Sequence, residues 1–188
     1  MSRIDKIRLD DLISCFSKRT WFPVITLPER QNGESVADYA RRLNRFVRDN
    51  SDRYKNIQVI LFHGTGRNVS VKSQGLLPTS VERRRSYQSS SGYVYLSADP
   101  WVAERFGSLG NSNRHCVYAV LVNLRDLKPD LDQLHNKRSV GVNVGNTLGE
   151  SLAYTSCARV KGRIEPWRVI EVMPEPELEP DEGMSMCP

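Results

Sequence analysis

The stretch VILFHGTGRNVSVKSQGLLPTS, residues 59–80, places a histidine directly after an apolar run and directly before a glycine. The apolar run is typical of a buried β-strand, and the glycines that follow leave the backbone uncovered. His63 is also one of only three histidines among the 188 residues. A strand that ends in this way presents an imidazole at a sheet edge, where it can bind a flat polar ligand or hydrogen-bond within the fold.

The composition is that of one globular domain with small appendages. Hydrophobic residues make up 39% and charged residues 26% of the chain, which are ordinary values for a soluble domain. No segment approaches the roughly 20 apolar residues that span a bilayer. The first residues, MSRIDKIRLDDLI, carry acids where a signal peptide has its apolar centre. We therefore expect a cytoplasmic protein without a membrane partner.

The net charge of +5 hides an asymmetry along the chain. Residues 174–188 hold five acids and no lysine or arginine, so the residues before them carry +10. Such an excess attracts nucleotides, nucleic acid or an acidic protein, although a basic surface without a partner is also common. The four cysteines lie far apart and lack metal-ligand spacing, which predicts reduced thiols and no metal site.

Helices come first along the chain and β-rich segments follow. Apolar spacing predicts a helix over residues 36–49, with Ser35 and Asp38 placed like a capping box, and a shorter helix over residues 6–16. Two small helices are predicted between strands, one after HGTGRN and one that Asp99 caps. Strands are predicted over IQVILFH (57–63), YVYLS (93–97), CVYAVLVNL (116–124), SLAYTSCARV (151–160) and WRVIEVM (167–173).

This order of elements indicates an α+β fold. We expect an N-terminal helical region over residues 1–54, packed on a core formed by residues 55–173. The acidic, proline-rich tail, residues 174–188, is predicted to be disordered because its composition gives it no core to join.

Two segments in order, LFHGTGRNVSVKSQGLLP and YVYLSADPWVAERFG, resemble the NAD-binding half of the ADP-ribosyltransferase superfamily. The resemblance is to its His-Tyr-Glu branch, typified by diphtheria toxin and the poly(ADP-ribose) polymerases. In that branch a strand ends in His-Gly-Ser or His-Gly-Thr, a helix and a GL turn follow, and a second strand presents a tyrosine. The resemblance implies a split β-sandwich of two packed, mostly antiparallel sheets around an NAD cleft.

The resemblance also implies roles for single residues. His63 would hydrogen-bond a ribose hydroxyl of NAD, Gly64 would offer backbone groups to the nicotinamide amide, and Tyr95 would stack on the nicotinamide. Phe106 would be a second stacking aromatic. Further contacts with NAD are implied for Thr65, Ser97 and Arg84, the last within an arginine-rich loop that is alternatively a solvated surface.

A catalytic glutamate is implied at the start of a later strand. Glu150 fits this place, because it follows a glycine- and asparagine-rich loop and precedes the strand predicted over residues 151–160. Glu165, in a turn before Pro166, is the alternative, and a solvated surface position is the common fate of any glutamate. A fixed carboxylate at the ribose 2′-hydroxyl would stabilise the oxocarbenium-like sugar formed when nicotinamide leaves. No step requires a metal.

The function implied is transfer of ADP-ribose from NAD to a protein or nucleic-acid acceptor, by a bacterial or phage toxin or effector. Such a protein acts in its own cytoplasm or is delivered into that of a host, and a cognate inhibitor is a further candidate partner. Two alternatives stay open, an RNA 2′-phosphotransferase-like enzyme, which has a histidine where this chain has Tyr95, and a non-catalytic module that binds ADP-ribose or NAD. The segment EPWRVIEV resembles small rifampicin ADP-ribosyltransferases, which keeps a small-molecule acceptor open.

Overall fold

Two N-terminal helices come first, with a short strand between them, and a mixture of strands and helices follows. The computed structural model describes residues 8–53, 56–66, 70–79, 89–109 and 115–173. The tail predicted to be disordered and the predicted NAD contact Arg84 lie outside these ranges. The elements in chain order are α1 (Leu9–Ser17), β1 (Val24–Ile25), α2 (Val36–Arg53), β2 (Gln58–Gly66), α3 (Val71–Gln74), β3 (Tyr93–Ser97), α4 (Pro100–Ser108), β4 (His115–Asn123), β5 (Leu127–Pro129), α5 (Leu131–Ser139), α6 (Leu148–Thr155), β6 (Cys157–Lys161) and β7 (Val169–Met173), with 3₁₀ turns at Leu124–Asp126 and Pro166–Arg168.

The seven strands of the described residues form one sheet in the order β5-β6-β3-β2-β4-β7, and neighbours in this order are antiparallel. Strand β1 pairs in parallel with β2. The α+β prediction is therefore confirmed, whereas the two packed sheets that the resemblance implies are not seen, because the described strands are hydrogen-bonded in a single sheet. The sheet has a narrow joint in its middle, because within the described residues β2 and β3 pair only at Phe62 and Ser97. By contrast, β2 pairs with β4 along its whole length.

Both N-terminal helices pack on the sheet, on opposite faces. Leu43 of α2 and Leu152 of α6 are buried with Leu61 in the larger core, which both halves of the sheet share. Phe16 of α1 is buried with Phe62 in the smaller core, which α4 completes. Each such fully buried side chain stabilises the fold by about 1.5–3 kcal/mol relative to an exposed one.

Two helices begin at the capping residues that the sequence predicts. The Ser35 hydroxyl accepts a hydrogen bond from the Asp38 amide at 3.1 Å at the start of α2, which continues one turn beyond the predicted end. The Asp99 carboxylate accepts from the Trp101 amide at 2.8 Å, and Pro100 occupies the first position of α4. Both helices are confirmed.

The strand predicted over residues 151–160 is wrong in its first half, which is helix α6. The helix forms because Thr147 and Glu150 make a capping box at its start, and because Leu148 and Leu152 are buried against the larger core. Ser156 ends the helix in the left-handed conformation, with φ 56°, and β6 begins at the next residue. Strands β1 and β5 and helix α5 are further elements that the sequence did not predict.

Helix α4 touches the backbone of β2, and two glycines allow this approach. A Cβ atom on Gly64 would lie 1.7 Å from the Ala103 carbonyl oxygen, which is far inside any allowed contact. A Cβ atom on Gly107 would lie 2.9 Å from the Thr65 nitrogen. The packing of α4 therefore requires a glycine at position 64, independently of any ligand that its backbone groups bind.

We expect Gly64→Ala to lower the free energy of unfolding by about 1–3 kcal/mol or more, because the added methyl group must displace α4. Gly66→Ala is the matched control two residues further along the same strand, where a Cβ meets no described atom within 4 Å. The control should leave stability unchanged or slightly raised. Chemical denaturation of both variants checks this, and equal effects would contradict the packing of α4 on β2.

Candidate functional site

His63 lies where β2 and β3 separate. The strand pairing stops at Phe62 and Ser97, and the next residue of β2 turns its imidazole toward β3. Its Nδ1 lies 2.8 Å from the carbonyl oxygen of Tyr95, and the side chain is partly exposed. The imidazole thus satisfies a carbonyl of β3 at the point where β2 no longer pairs with that strand.

The contact fixes the tautomer of His63. A carbonyl oxygen only accepts hydrogen bonds, so Nδ1 carries the proton and, in the neutral ring, Nε2 is an acceptor. Burial lowers the pKa of His63, and the hydrogen bond to the Tyr95 carbonyl opposes this only in part. The ring is therefore neutral at pH 7, and Nε2 is its acceptor nitrogen.

The hydroxyl of Tyr95 belongs to a polar cluster on the other side of β3 from the larger core. It donates to Asp132 Oδ2 at 2.5 Å and accepts from the Ser90 amide at 2.6 Å. Burial and then the bond to Asp132 raise the pKa of Tyr95 to about 12, so the phenol stays protonated at neutral pH. The predicted aromatic residue is thus held at its far end, and the residue as a whole is partly exposed.

Arg159 completes this cluster from the neighbouring strand. It pairs with Tyr95 in the register of β3 and β6, and it is 7% exposed. Its Nη1 donates to Ser90 Oγ at 3.1 Å and lies 3.7 Å from Asp132 Oδ2, and its guanidinium stacks 4.2 Å from the centre of the Tyr93 ring. Sequence reasoning missed Ser90, Asp132 and Arg159. The sequence does contain one signal that could have indicated Arg159. It is an arginine inside the apolar run CARV, because a buried arginine needs a polar or charged partner.

The other residues predicted to bind NAD have different surroundings. Thr65 lies on β2 next to the opening and is partly exposed. Phe106 is partly buried on α4, one position before the glycine that touches Thr65. Ser97 is 2% exposed, and its hydroxyl donates to the Ser156 carbonyl and accepts from the Asp99 amide, each at 3.0 Å. Ser97 therefore joins elements inside the fold and does not face the opening.

Glu150 is not at the start of a strand, as predicted, but in the first turn of α6. Its Oε2 accepts from the Thr147 amide at 3.0 Å and hydroxyl at 2.6 Å, and its Oε1 accepts from the Gly145 amide at 3.0 Å. Partial burial raises the pKa of Glu150, but these hydrogen bonds and the charge of Arg138 outweigh that effect and leave the pKa below its ordinary value. The capping box therefore accounts for this carboxylate.

Glu165 lies in the connection between the last two strands, as predicted. It is exposed and belongs to a groove of about 390 Å³ between the end of β4 and the β6–β7 connection. The charged residues that line this groove are Asp126, Lys128, Lys161, Arg163, Glu165 and Arg168. His63 and Tyr95 are not among its lining residues, so Glu165 and the predicted NAD residues lie in different places.

The described residues contain no group of three or more histidine, cysteine or acidic side chains that would hold a metal ion. Among the same residues, no helix is long and apolar enough to cross a membrane.

Comparisons with known proteins identify no family for this chain. No family model and no curated protein matches the chain. Among solved structures the chain is similar to EcPltA, with 9% sequence identity and a TM-score of 0.37, over 59% of this chain and 72% of that one. A similarity of this size carries no argument about activity.

We expect Glu150→Gln to lower stability at pH 7 by about 0.3–1 kcal/mol, because glutamine keeps the bond to Thr147 but loses the charge near the helix start. The folded-state pKa of Glu150 lies below its ordinary value of 4.5. The contribution is therefore complete above that value and disappears as the pH falls through the folded-state pKa. Melting temperatures from pH 7 to pH 3 measure this difference.

Glu165→Gln is the control for this comparison, because its exposed carboxylate has one distant ion pair, 3.6 Å from Arg163. It should change the melting temperature less at every pH. A difference between wild type and Glu150→Gln that grows toward acid would contradict the hydrogen bonds assigned to Glu150.

Proposed function

We propose that the protein is an NAD-dependent ADP-ribosyltransferase that acts on a protein or nucleic-acid acceptor. The observation that carries the proposal is His63 at the opening between β2 and β3, with its proton fixed on Nδ1 by the Tyr95 carbonyl. A neutral imidazole of this tautomer accepts a hydrogen bond from a hydroxyl such as those of ribose. The resemblance of residues 59–107 to NAD-binding sequences favours the same ligand.

Two further features of the opening fit a dinucleotide. Beyond the single pair at Phe62, the described part of β3 leaves that edge of β2 without a ladder partner. Alternate backbone groups of residues 63–66 point toward this edge, where they can bond the nicotinamide amide. Tyr95 is partly exposed, and stacking of its ring on the nicotinamide would be worth about 0.5–1.5 kcal/mol, as for an aromatic pair.

In the proposed reaction the bond between the nicotinamide nitrogen and ribose C1′ breaks, and its electron pair leaves with neutral nicotinamide. The acceptor nucleophile forms a bond to C1′ and releases a proton. The contribution of His63 and Tyr95 is to hold the ribose and the nicotinamide ring in one orientation toward the acceptor. The charge of +10 on residues 1–173 attracts both the anionic dinucleotide and a nucleic-acid or acidic acceptor.

The resemblance favours a bacterial or phage toxin or effector that works in a cytoplasm. The direct test incubates the full chain with cell lysate and NAD that is labelled in its adenine. We expect nicotinamide to be released and the label to remain on a macromolecule. Digestion of the product with protease or nuclease then shows which class of acceptor carries the label.

His63→Ala should weaken NAD binding roughly 3- to 10-fold in calorimetric titration, because one hydrogen bond in a partly buried site is lost. His135→Ala is the matched control, since His135 is exposed on α5. It should bind NAD like the wild type.

Other results would point elsewhere. NAD binding without nicotinamide release would favour a non-catalytic module. Removal of the phosphate from a 2′-phosphorylated RNA, without ADP-ribose left on protein or nucleic acid, would favour the phosphotransferase alternative. Absence of NAD binding by the wild-type chain would contradict the proposal.

Glu150→Gln separates two roles for that carboxylate. A catalytic role predicts a fall in turnover of roughly 10²-fold with NAD still bound. The capping box predicts turnover close to that of the wild type, and this is the result we expect, because both carboxylate oxygens already accept hydrogen bonds from the preceding loop. Single-turnover nicotinamide release measures the difference.

A further inference from the structure

We propose that Asp132 is a positioning residue of the NAD site, which acts through the hydroxyl of Tyr95 to hold the ring for stacking. This inference rests on the proposed function. Asp132 lies on α5, a helix that was not predicted from the sequence. The residue is far from Tyr95 along the chain.

The hydrogen bonds at the hydroxyl fix the direction of the ring. Tyr95 donates to Asp132 Oδ2 at 2.5 Å, and the Ser90 amide lies 2.6 Å from the phenol oxygen and 3.1 Å from the same carboxylate oxygen. A tyrosine side chain has two rotatable bonds, and a contact at its far end restricts both. The ring is therefore preorganised before any ligand arrives.

Asp132 is itself held in place. Asp130, which is 2% exposed, caps α5 by accepting from the amides of Asp132 and Gln133, each at 3.1 Å. The Asp130 amide donates to Ser151 Oγ at 2.8 Å, and that hydroxyl donates to the Cys157 carbonyl at 2.7 Å. The start of α5 is thereby tied to β6, the strand next to Tyr95.

The charge of Asp132 is matched by Arg159. The carboxylate is 16% exposed and lies 3.7 Å from the Arg159 guanidinium, whose side chain is 9% exposed. A nearby cation and hydrogen bonds stabilise a carboxylate that is mostly buried. Asp132 has both, from Arg159 and from the Ser90 amide, while it accepts from the Tyr95 hydroxyl.

The hydroxyl contacts are not needed to bury this part of β3. Val94 and Leu96, on the opposite face of the strand, are 2% and 3% exposed and supply its apolar packing. Tyr95 remains partly exposed. Tyr95 does not belong to the larger core, so the hydrogen bonds at its hydroxyl restrain the ring without adding to that core, and this favours a role in ligand binding.

The test compares Tyr95→Phe, Asp132→Ala and the double variant as full chains, with NAD titrated calorimetrically well below each melting temperature. Each single variant should bind NAD roughly tenfold more weakly. The double variant should also be about tenfold weaker instead of a hundredfold, because both changes remove the same contact. Asp132→Asn keeps an oxygen acceptor and should retain part of the affinity.

Asp10→Ala is the matched control, since Asp10 is an exposed aspartate in the first turn of another helix. It should bind NAD like the wild type. If Asp132→Ala does not fold, Tyr95→Phe and Asp132→Asn still decide the question. Two results would overturn the positioning role alone, provided that the wild type binds NAD. One is an unchanged affinity in Tyr95→Phe and in the Asp132 variants. The other is a double variant in which the two losses of affinity add. A wild-type chain that does not bind NAD would overturn the proposed function and this role with it.

Discussion

The hydrogen bond from His63 Nδ1 to the carbonyl oxygen of Tyr95 is the contact on which the opening in the sheet depends. Pairing between β2 and β3 stops at Phe62 and Ser97, so no ladder donor from β2 reaches the partly buried carbonyl of Tyr95. The imidazole of His63 supplies a donor in its place. On the other side, α4 lies against the backbone of Gly64 and fixes the path of β2. The same histidine thus stabilises the opening and presents an acceptor to it.

Two carboxylates, those of Glu150 and Asp132, have separate roles that follow from their partners. Glu150 accepts hydrogen bonds from the loop before α6, and so it stabilises the start of that helix. Asp132 accepts from the Tyr95 hydroxyl beside the buried cation of Arg159. Glu150 thus acts on the stability of a helix, whereas Asp132 acts on the direction of the Tyr95 ring. In the proposed reaction the contact of Asp132 affects how the dinucleotide is bound and oriented.

The elements predicted correctly from the sequence are those that short-range signals determine. The cap at Asp99 and the alternation in β3 are local, and both elements are confirmed. The strand predicted over residues 151–160 is wrong in its first half, because the prediction relied on the apolar run. The capping signal at Thr147, which starts helix α6, was also present in the sequence. The cluster around Tyr95 was not predictable in this way. The contact of Asp132 with Arg159 depends on the register of β3 and β6 and on a helix from another part of the chain.

The central claim is that His63 holds its proton on Nδ1 and offers Nε2 to a ribose hydroxyl. Nitrogen-15 NMR of the full chain, labelled at histidine, measures this directly, with His63→Gln used to assign the resonances among the three histidines. The account predicts the Nδ1–H tautomer for His63 at pH 7, and an Nε2 resonance that shifts toward a hydrogen-bonded value when NAD is added. An Nε2–H tautomer, or an Nε2 resonance that saturating NAD leaves unchanged, would contradict it.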